Sequence, residues 1–456
     1  MKIPIEKIKE NLKPSILQII KTLKNAGGKP YLVGGFVRDL VIGRTPGDAD
    51  IEVYNMSASQ VEKALMAFGA IDIIGKSFGV YKIPGVVCDI SLPRTDSKTG
   101  GTHRDFAITC DGGMSFELAT KRRDFRCNAL LLDPIRGDII DPHGGLEDIA
   151  AHRLAIVDPV TFLDDNLRIL RFCRFASQLG WGWDNETLAL LKKGTLNYIS
   201  PERFWVEFSK LLLGDYPEIG LTALELCGAI RYFPELDILH KIQQDPQWHP
   251  EGNVWIHTKI VVRNMREHTG DISLMLAALC NDMGKASTTK FSKGRIRALG
   301  HDEAGVWPAR RFLQQIKCPK DIEEKVIALV RNHLAPMYLI TGNSGPAGFR
   351  RLARKLSLSG ATLEELEILA RCDSLGRGGK ASSVRTCDKF LGKIHELGIK
   401  YKAPKDVVMG RHLISLGMEP GKHFRKILDR CREIQYKTGL DSDVEIMKRA
   451  GLIKEE

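Results

Sequence analysis

The hydrophobic period of this chain changes once, near Asp158-Pro159, and does not change back. Before that point, short alternating or wholly apolar runs are interleaved with helical spacing. After it, one helical pattern follows another to the C-terminus. Tyr31–Val33, Ile51–Tyr54, Val80–Ile83, Val86–Leu92, Ala129–Leu132 and Asp138–Ile140 read as strands. Pro14–Asn25 sets Ile16, Leu17, Ile20 and Leu23 on one helical face and closes at Gly27-Gly28. Ser57 and Gln60 form a capping box ahead of Val61, Leu65 and Phe68. No period repeats along the helical part, so a solenoid is excluded. The predicted fold is α+β: a mixed α/β head over 1–155, then an all-α neck over 156–225 and an all-α body and tail over 226–456.

At 456 residues the chain is long enough for several cores. No apolar run approaches the roughly 18 residues of a membrane span. The lysine-rich start, Met1–Asn11, continues as a charged helical pattern where a signal peptide would be apolar. A soluble, cytoplasmic protein with no membrane contact is expected. The ten cysteines never come closer than 15 residues, which leaves no CxxC pair and favours reduced core thiols. Lys and Arg number 67 against 56 acids. Lys285–Lys355 alone holds 15 basic and 5 acidic residues, nearly the whole excess. Such a field suits a polyanion, or is an ordinary solvated face.

The head carries chemistry. Gly34-Gly35-Phe-Val-Arg38-Asp39 follows a strand and opens a helix, which is either a tight turn or an anion cradle. In the second case Arg38, one turn on, reaches the same anion. Asp48 and Asp50 are spaced to share one strand face, and Asp89 lies in another strand-like run. Converging carboxylates call for a divalent cation, here Mg²⁺, and cradle plus carboxylates describes metal-assisted nucleotidyl transfer.

The same residues carry a resemblance. Leu-Val-Gly34-Gly35-x-Val-Arg38-Asp39 with Asp48-x-Asp50 resembles the signature of polymerase-β-type nucleotidyltransferases. More closely, it resembles the class II branch that holds CCA-adding tRNA nucleotidyltransferases and bacterial poly(A) polymerases. Four further motifs follow in order: Lys121-Arg122-Arg123-Asp124, Asp141-Pro-His-Gly144-Gly145, Asp164-Asp165-Asn-Leu-Arg168-x-x-Arg171-x-x-Arg174, and Glu202-Arg203-Phe-x-x-Glu207. The resemblance implies a template-independent enzyme that builds the tRNA 3′-terminal CCA from CTP and ATP and releases pyrophosphate. A poly(A) polymerase or an A-adding specialist shares every head motif and is the alternative. Asp48, Asp50 and Asp89 become the catalytic carboxylates, the first two holding Mg²⁺. Gly34, Gly35 and Arg38 take the triphosphate and Arg123 the sugar-phosphate region. Asp165 with Arg168 reads the base, Arg171 and Arg174 continuing that face. The basic window then fits the acceptor end and elbow of tRNA; no protein partner is implied. The polar stretch between Arg94 and Phe106 corresponds to the family's flexible loop.

Residues 245–375 resemble an HD-type domain, with His257, Asp282 and Asp373 matching three metal ligands. Asn281 stands where that motif has histidine, and an amide is a poor transition-metal ligand. The set reads as degenerate. The surviving three ligands, with His301 and His333 as possible extras, either hold a loose Mg²⁺ or make structural hydrogen bonds. The second is the expectation, and HD-type phosphohydrolase activity is the less favoured function.

Overall fold

A computed structural model describes residues 1–69, 72–74, 79–98, 106–197, 199–378 and 381–454. It divides into two units, Met1–Arg203 with Thr222–Ala229, and Phe204–Leu221 with Ile230–Glu456.

The first unit is organised by a seven-stranded mixed sheet. Its strands and a separate ribbon are, in chain order, β1 (Lys29–Val33), β2 (Asp50–Tyr54), β3 (Asp72–Ile74), β4 (Val80–Lys82), β5 (Ile90–Ser91), β6 (Arg94–Lys98), β7 (Phe106–Cys110), β8 (Leu131–Leu132) and β9 (Ile139–Ile140). The sheet order is β3-β4-β5-β2-β1-β8-β9. β1 pairs antiparallel with β2, Val33 opposite Asp50, and β2 pairs parallel with β5, Ile51 opposite Ile90. Leu32, Ile51, Val53 and Ile90 are fully buried, and each such side chain contributes about 1.5–3 kcal/mol. The helix Pro14–Asn25 packs through Ile16, Ile19, Ile20 and Leu23, so Ile19 takes the place expected of Leu17. The Ser57–Gln60 capping box forms as read.

Two expectations need correction. Val86–Leu92 is a strand only at β5; Val87 is exposed in the turn before it. The stretch after Arg94, expected as a loop, begins and ends as the paired ribbon β6–β7, and 99–105 lie outside the described residues.

The second unit is helical. Val254–His268, Ile272–Cys280, Lys320–Asn332 and Leu363–Gly376 pack together, and Ser273–Cys280 is buried throughout. Its one departure from an all-α body among the described residues is a hairpin, β12–β13 in chain order after a short β10–β11 pair (Arg153–Leu154, Gly182–Trp183) in the first unit. The hairpin joins Thr289–Ser292 to Arg295–Ala298 through Lys293-Gly294. Both turn residues have positive φ, 52° and 71°, as a two-residue hairpin turn requires. None of the ten cysteines is in a disulfide, and all except Cys110 and Cys318 are buried. No helix among the described residues is long and apolar enough to cross a membrane.

Candidate active site

The site begins where β1 ends. The chain turns through Gly34 at φ +74° into the helix Gly35–Ile42. A side chain there would be strained, and its Cβ would lie 3.2 Å from the Arg123 guanidinium. That leaves backbone, a helix N-terminus and a cation facing one small space.

The β1–β2 register sets Asp50 beside Val33, next to this turn. Asp48 precedes the strand rather than lying in it, yet buried Ala49 separates two exposed carboxylates, which keeps both on the outer side. The Ile51 amide donates to the Asp89 carbonyl (2.9 Å), and this draws Asp89 alongside. Loss of water on the side facing the protein, and then the Asp89 charge, push the Asp50 carboxyl up. The Cys88 thiol is pushed up to about 12 by burial, then by the charges of Asp50, Asp89 and Asp48. Asp89 is partly neutralised by Lys82 at 3.1 Å. An all-oxygen, mutually repelling donor set fits a hard divalent cation.

Glu52, two residues beyond Asp50 on β2, is fully buried and was not singled out from sequence. The Tyr54 hydroxyl donates to it (2.7 Å), and Arg122 and Arg123 lie 3.1 and 3.5 Å away. It therefore fixes the arginine under the glycine turn. The signal was present: Asp48, Asp50 and Glu52 follow one strand period.

Arg38, expected to reach an anion, is buried and donates to Asn128 Oδ1 (2.7 Å) and to Asp39 Oδ1 (2.9 and 2.8 Å). Its structural partners are protein groups, and it braces the turn. Asn128 in turn donates to Asp124 (3.0 Å), and Asp124 pairs with Arg171 at 2.5 Å. Burial alone would raise the Asp124 carboxyl, but the Arg171 charge and three hydrogen-bond donors outweigh it and hold it well down.

On the helix Leu167–Leu179, Ile169, Leu170, Cys173 and Ala176 pack inward as expected. The opposite arc is not solvated. Arg174 is buried against Phe175, 4.3 Å from its ring centre. Arg168 donates to the carbonyls of Thr161 (3.0 Å) and Arg122 (2.6 Å), which tethers the neck to the second motif. Asp165, just before the helix, accepts from the Leu167 amide (3.1 Å) and from Arg203 (2.7 Å). The fourth and fifth motifs thus meet at one carboxylate.

In the second unit the HD-like residues come together. His257 Nε2 lies 2.9 Å from Asp373 and 3.4 Å from Asp282. Gly376 allows this, since a Cβ there would lie 2.9 Å from the imidazole. Asn281 is fully buried, and neither amide atom has a hydrogen-bond partner among the described residues. Two cations absent from the sequence reading fill the place: Lys285 donates to Asp282 Oδ2 (2.8 Å), and Arg377 pairs with Asp373. His249 is held down at about 4 by burial. Against the upward push of burial, hydrogen bonds from His249 and His257 hold Glu251 at about 2.

Residues 30–155 match the "Poly A polymerase head domain" and 185–239 the "Probable RNA and SrmB- binding site of polymerase A". The "Multifunctional CCA protein" of Xanthomonas campestris is 33% identical over 392 residues, covering 82% of this chain and 92% of its own. That of Stenotrophomonas maltophilia is 32% identical over 368 residues, covering 79% and 84%. Among solved structures, the Bacillus stearothermophilus CCA-adding enzyme in complex with CTP superposes with a TM-score of 0.62 at 22% identity, covering 96% and 98%. The Thermotoga maritima CCA-adding enzyme complexed with tRNA gives 0.61 at 18%, covering 98% and 97%. By these relatives, and by the carboxylates beside its glycine turn, the chain belongs to the family of CCA-adding tRNA nucleotidyltransferases.

Proposed function

We propose that this chain completes or repairs the 3′-terminal CCA of tRNA, taking CTP and ATP in turn and releasing pyrophosphate. The observation that carries the reading is the Gly34 turn, faced by the Arg123 guanidinium, with Asp50 paired beside it and Asp89 on the neighbouring strand end. Asp48 and Asp50 would hold Mg²⁺, which when bound supplies charge neutralisation at the transferring phosphate. Asp89 would take the proton of the attacking 3′-hydroxyl. The Gly34 and Gly35 amides and Arg123 bind the triphosphate and sugar region, with Glu52 holding Arg123 in place. Arg38 acts through Asn128 and Asp39 rather than on the phosphates.

Base choice falls to the neck. Asp165 accepts from an exocyclic amine, which cytosine and adenine share, and Arg168 donates to the ring; Arg203 orients the Asp165 carboxylate. Arg171 and Arg174 hold that helix rather than the nucleotide. The reading keeps a head over 1–155, a neck over 156–225 and a body and tail over 226–456, in a cytoplasmic enzyme. Pure protein given tRNA lacking its 3′ end, each NTP singly and then in pairs, with products sequenced, tests it. Ordered C, C, A supports the assignment. A run of A makes it a poly(A) polymerase, and no incorporation removes the enzymatic reading.

A further inference from the structure

The helix Gly35–Ile42 opens at the glycine turn and leads into the segment that carries Asp48 and Asp50. It is tied to the neck helix Leu167–Leu179 at both of its ends. In its first turn Arg38 lies 5.1 Å from the centre of the Phe175 ring, and the same buried ring takes Arg171 at 5.4 Å and Arg174 at 4.3 Å. A relay runs beside that ring. Arg171 Nε donates to Asp124 Oδ2 (2.7 Å), Asn128 Nδ2 donates to Asp124 Oδ1 (3.0 Å), and Arg38 Nη1 donates to Asn128 Oδ1 (2.7 Å). A guanidinium only donates and a carboxylate only accepts, so the buried residue between them has to do both, as a side-chain amide does. The Asn128 carbonyl also accepts from Arg123 Nη1 (3.4 Å). One residue thus touches the neck relay, the helix after the turn and the cation under Gly34.

At the far end, Gly43 closes the helix at φ +76°, and the Arg44 amide donates to the Asp39 carbonyl (2.9 Å). The Arg44 side chain then donates to the Gln178 carbonyl (2.7 Å). Gln178 stands in the last turn of the neck helix, where carbonyls lack partners within the helix and carry its partial negative charge. Asp48 and Asp50 follow within six residues of Arg44.

We propose that Asn128 and Arg44 are positioning residues that couple base fit in the neck to phosphoryl transfer in the head, so that a wrong base slows the transfer step itself. This rests on the nucleotidyl-transfer reading above, with Asp165 and Arg168 at the base. Those two residues stand at the start of the neck helix, and the ties to the head lie along its middle and at its end. A base that does not seat against them leaves the helix displaced. A close-packed helix shifts as a unit, and the two ties carry that shift to the glycine turn, to Arg123 and to the carboxylate segment. Misplacing reacting groups by about 1 Å costs about 100-fold in rate. Stability alone gives no reason for the far tie, because one hydrogen bond from the exposed Arg44 side chain contributes little to folding.

The test is single-turnover incorporation by the full chain on tRNA lacking its CCA, with CTP and UTP each over a concentration series, which separates the transfer rate constant from nucleotide affinity. The wild type should reject UTP chiefly in the rate constant. In Arg44→Ala and in Asn128→Ala the CTP-to-UTP ratio of rate constants should fall about tenfold or more, with CTP affinity within about threefold of wild type. Arg44→Lys should restore most of the ratio, since an ammonium can still donate to the Gln178 carbonyl. Equal slowing of CTP and UTP in the alanine variants would leave both residues merely structural and overturn the proposal. So would a wild type that rejects UTP through affinity alone. Should Asn128→Ala unfold by circular dichroism, Arg44→Ala decides, because it alters only an exposed side chain. No CTP incorporation by the wild type would overturn the reading underneath, and the proposal with it.

Discussion

At the scale of single residues, the site separates groups that meet substrate from groups that hold them. Asp48 and Asp50 are exposed and mutually repelling, which costs stability and is tolerated where a cation is to be held. Asp48→Ala and Asp50→Ala are each expected to lower kcat by several orders of magnitude while tRNA affinity stays within about threefold. Single-turnover incorporation with a parallel filter-binding measurement checks this, and near-wild-type turnover in both variants would sink the carboxylate assignment. Asp165 and Arg203 form one device. If Arg203 orients Asp165, each alanine variant should weaken discrimination of CTP over UTP, and the double variant should be little worse than Asp165→Ala alone. Incorporation efficiencies for all four NTPs, with Arg123→Ala as a control that slows them about equally, provide the readout. Additive losses would mean that the two residues work separately.

At the scale of elements, what could be read was what obeys a local rule. β1, β2 and the Ser57 capping box follow from alternation and cap chemistry over a few residues. The β6–β7 ribbon was missed because Arg-Thr-Asp-Ser-Lys carries no apolar alternation, and its pairing lies outside the main sheet. The hairpin at Thr289–Ala298 did carry a Lys-Gly turn between alternating runs, but the helical spacing on either side masked it. In the candidate site, the carboxylates and glycines were legible because motif spacing is local. Lys285 and Arg377 lie only three and four residues from Asp282 and Asp373, but their part in plugging the HD-like set was not legible, since it depends on helix packing that brings both carboxylates to His257. The Asp124–Arg171 pair ties the helix Leu167–Leu179 to the second motif in the same non-local way. Removing one partner of such a buried pair costs about 3–5 kcal/mol, so Arg171→Met should lower the unfolding midpoint clearly. The pH dependence has a definite sign. Asp124 is held well below its ordinary value, so its stabilisation is full above about pH 3.9 and is lost as pH falls further. Denaturant melts at descending pH should show that acid-side loss, and Asp124→Asn should flatten it.

At the scale of the whole molecule, charge is distributed by task. The head needs only enough cations to hold one nucleotide, whereas a polynucleotide needs a field. The basic excess between Lys285 and Lys355 contains the hairpin Thr289–Ala298, on which Lys290, Lys293 and Arg295 are exposed and Phe291 is 77% exposed beside them. Cations flanking a bare aromatic ring suit RNA phosphates and an unstacked base, and make little sense as a plain solvated face. A charge-reversed variant, Lys290→Glu with Lys293→Glu and Arg295→Glu, should leave the fold intact, since none of the three side chains is buried. It is expected to raise KM for tRNA about tenfold or more at physiological salt, with kcat and the KM for CTP unchanged, because the lost contacts are equal in ground and transition states. The slope of log affinity against log salt should fall by about 0.7–0.9 for each phosphate contact removed. Binding titrations over a salt series, with steady-state rates for the same protein, measure both. An unchanged slope would return the hairpin to a solvated edge and move the RNA-binding surface to the helices that carry Arg310, Arg311, Arg350 and Arg351. A fall in kcat instead would mean that the hairpin positions the reacting 3′ end rather than simply holding the polyanion.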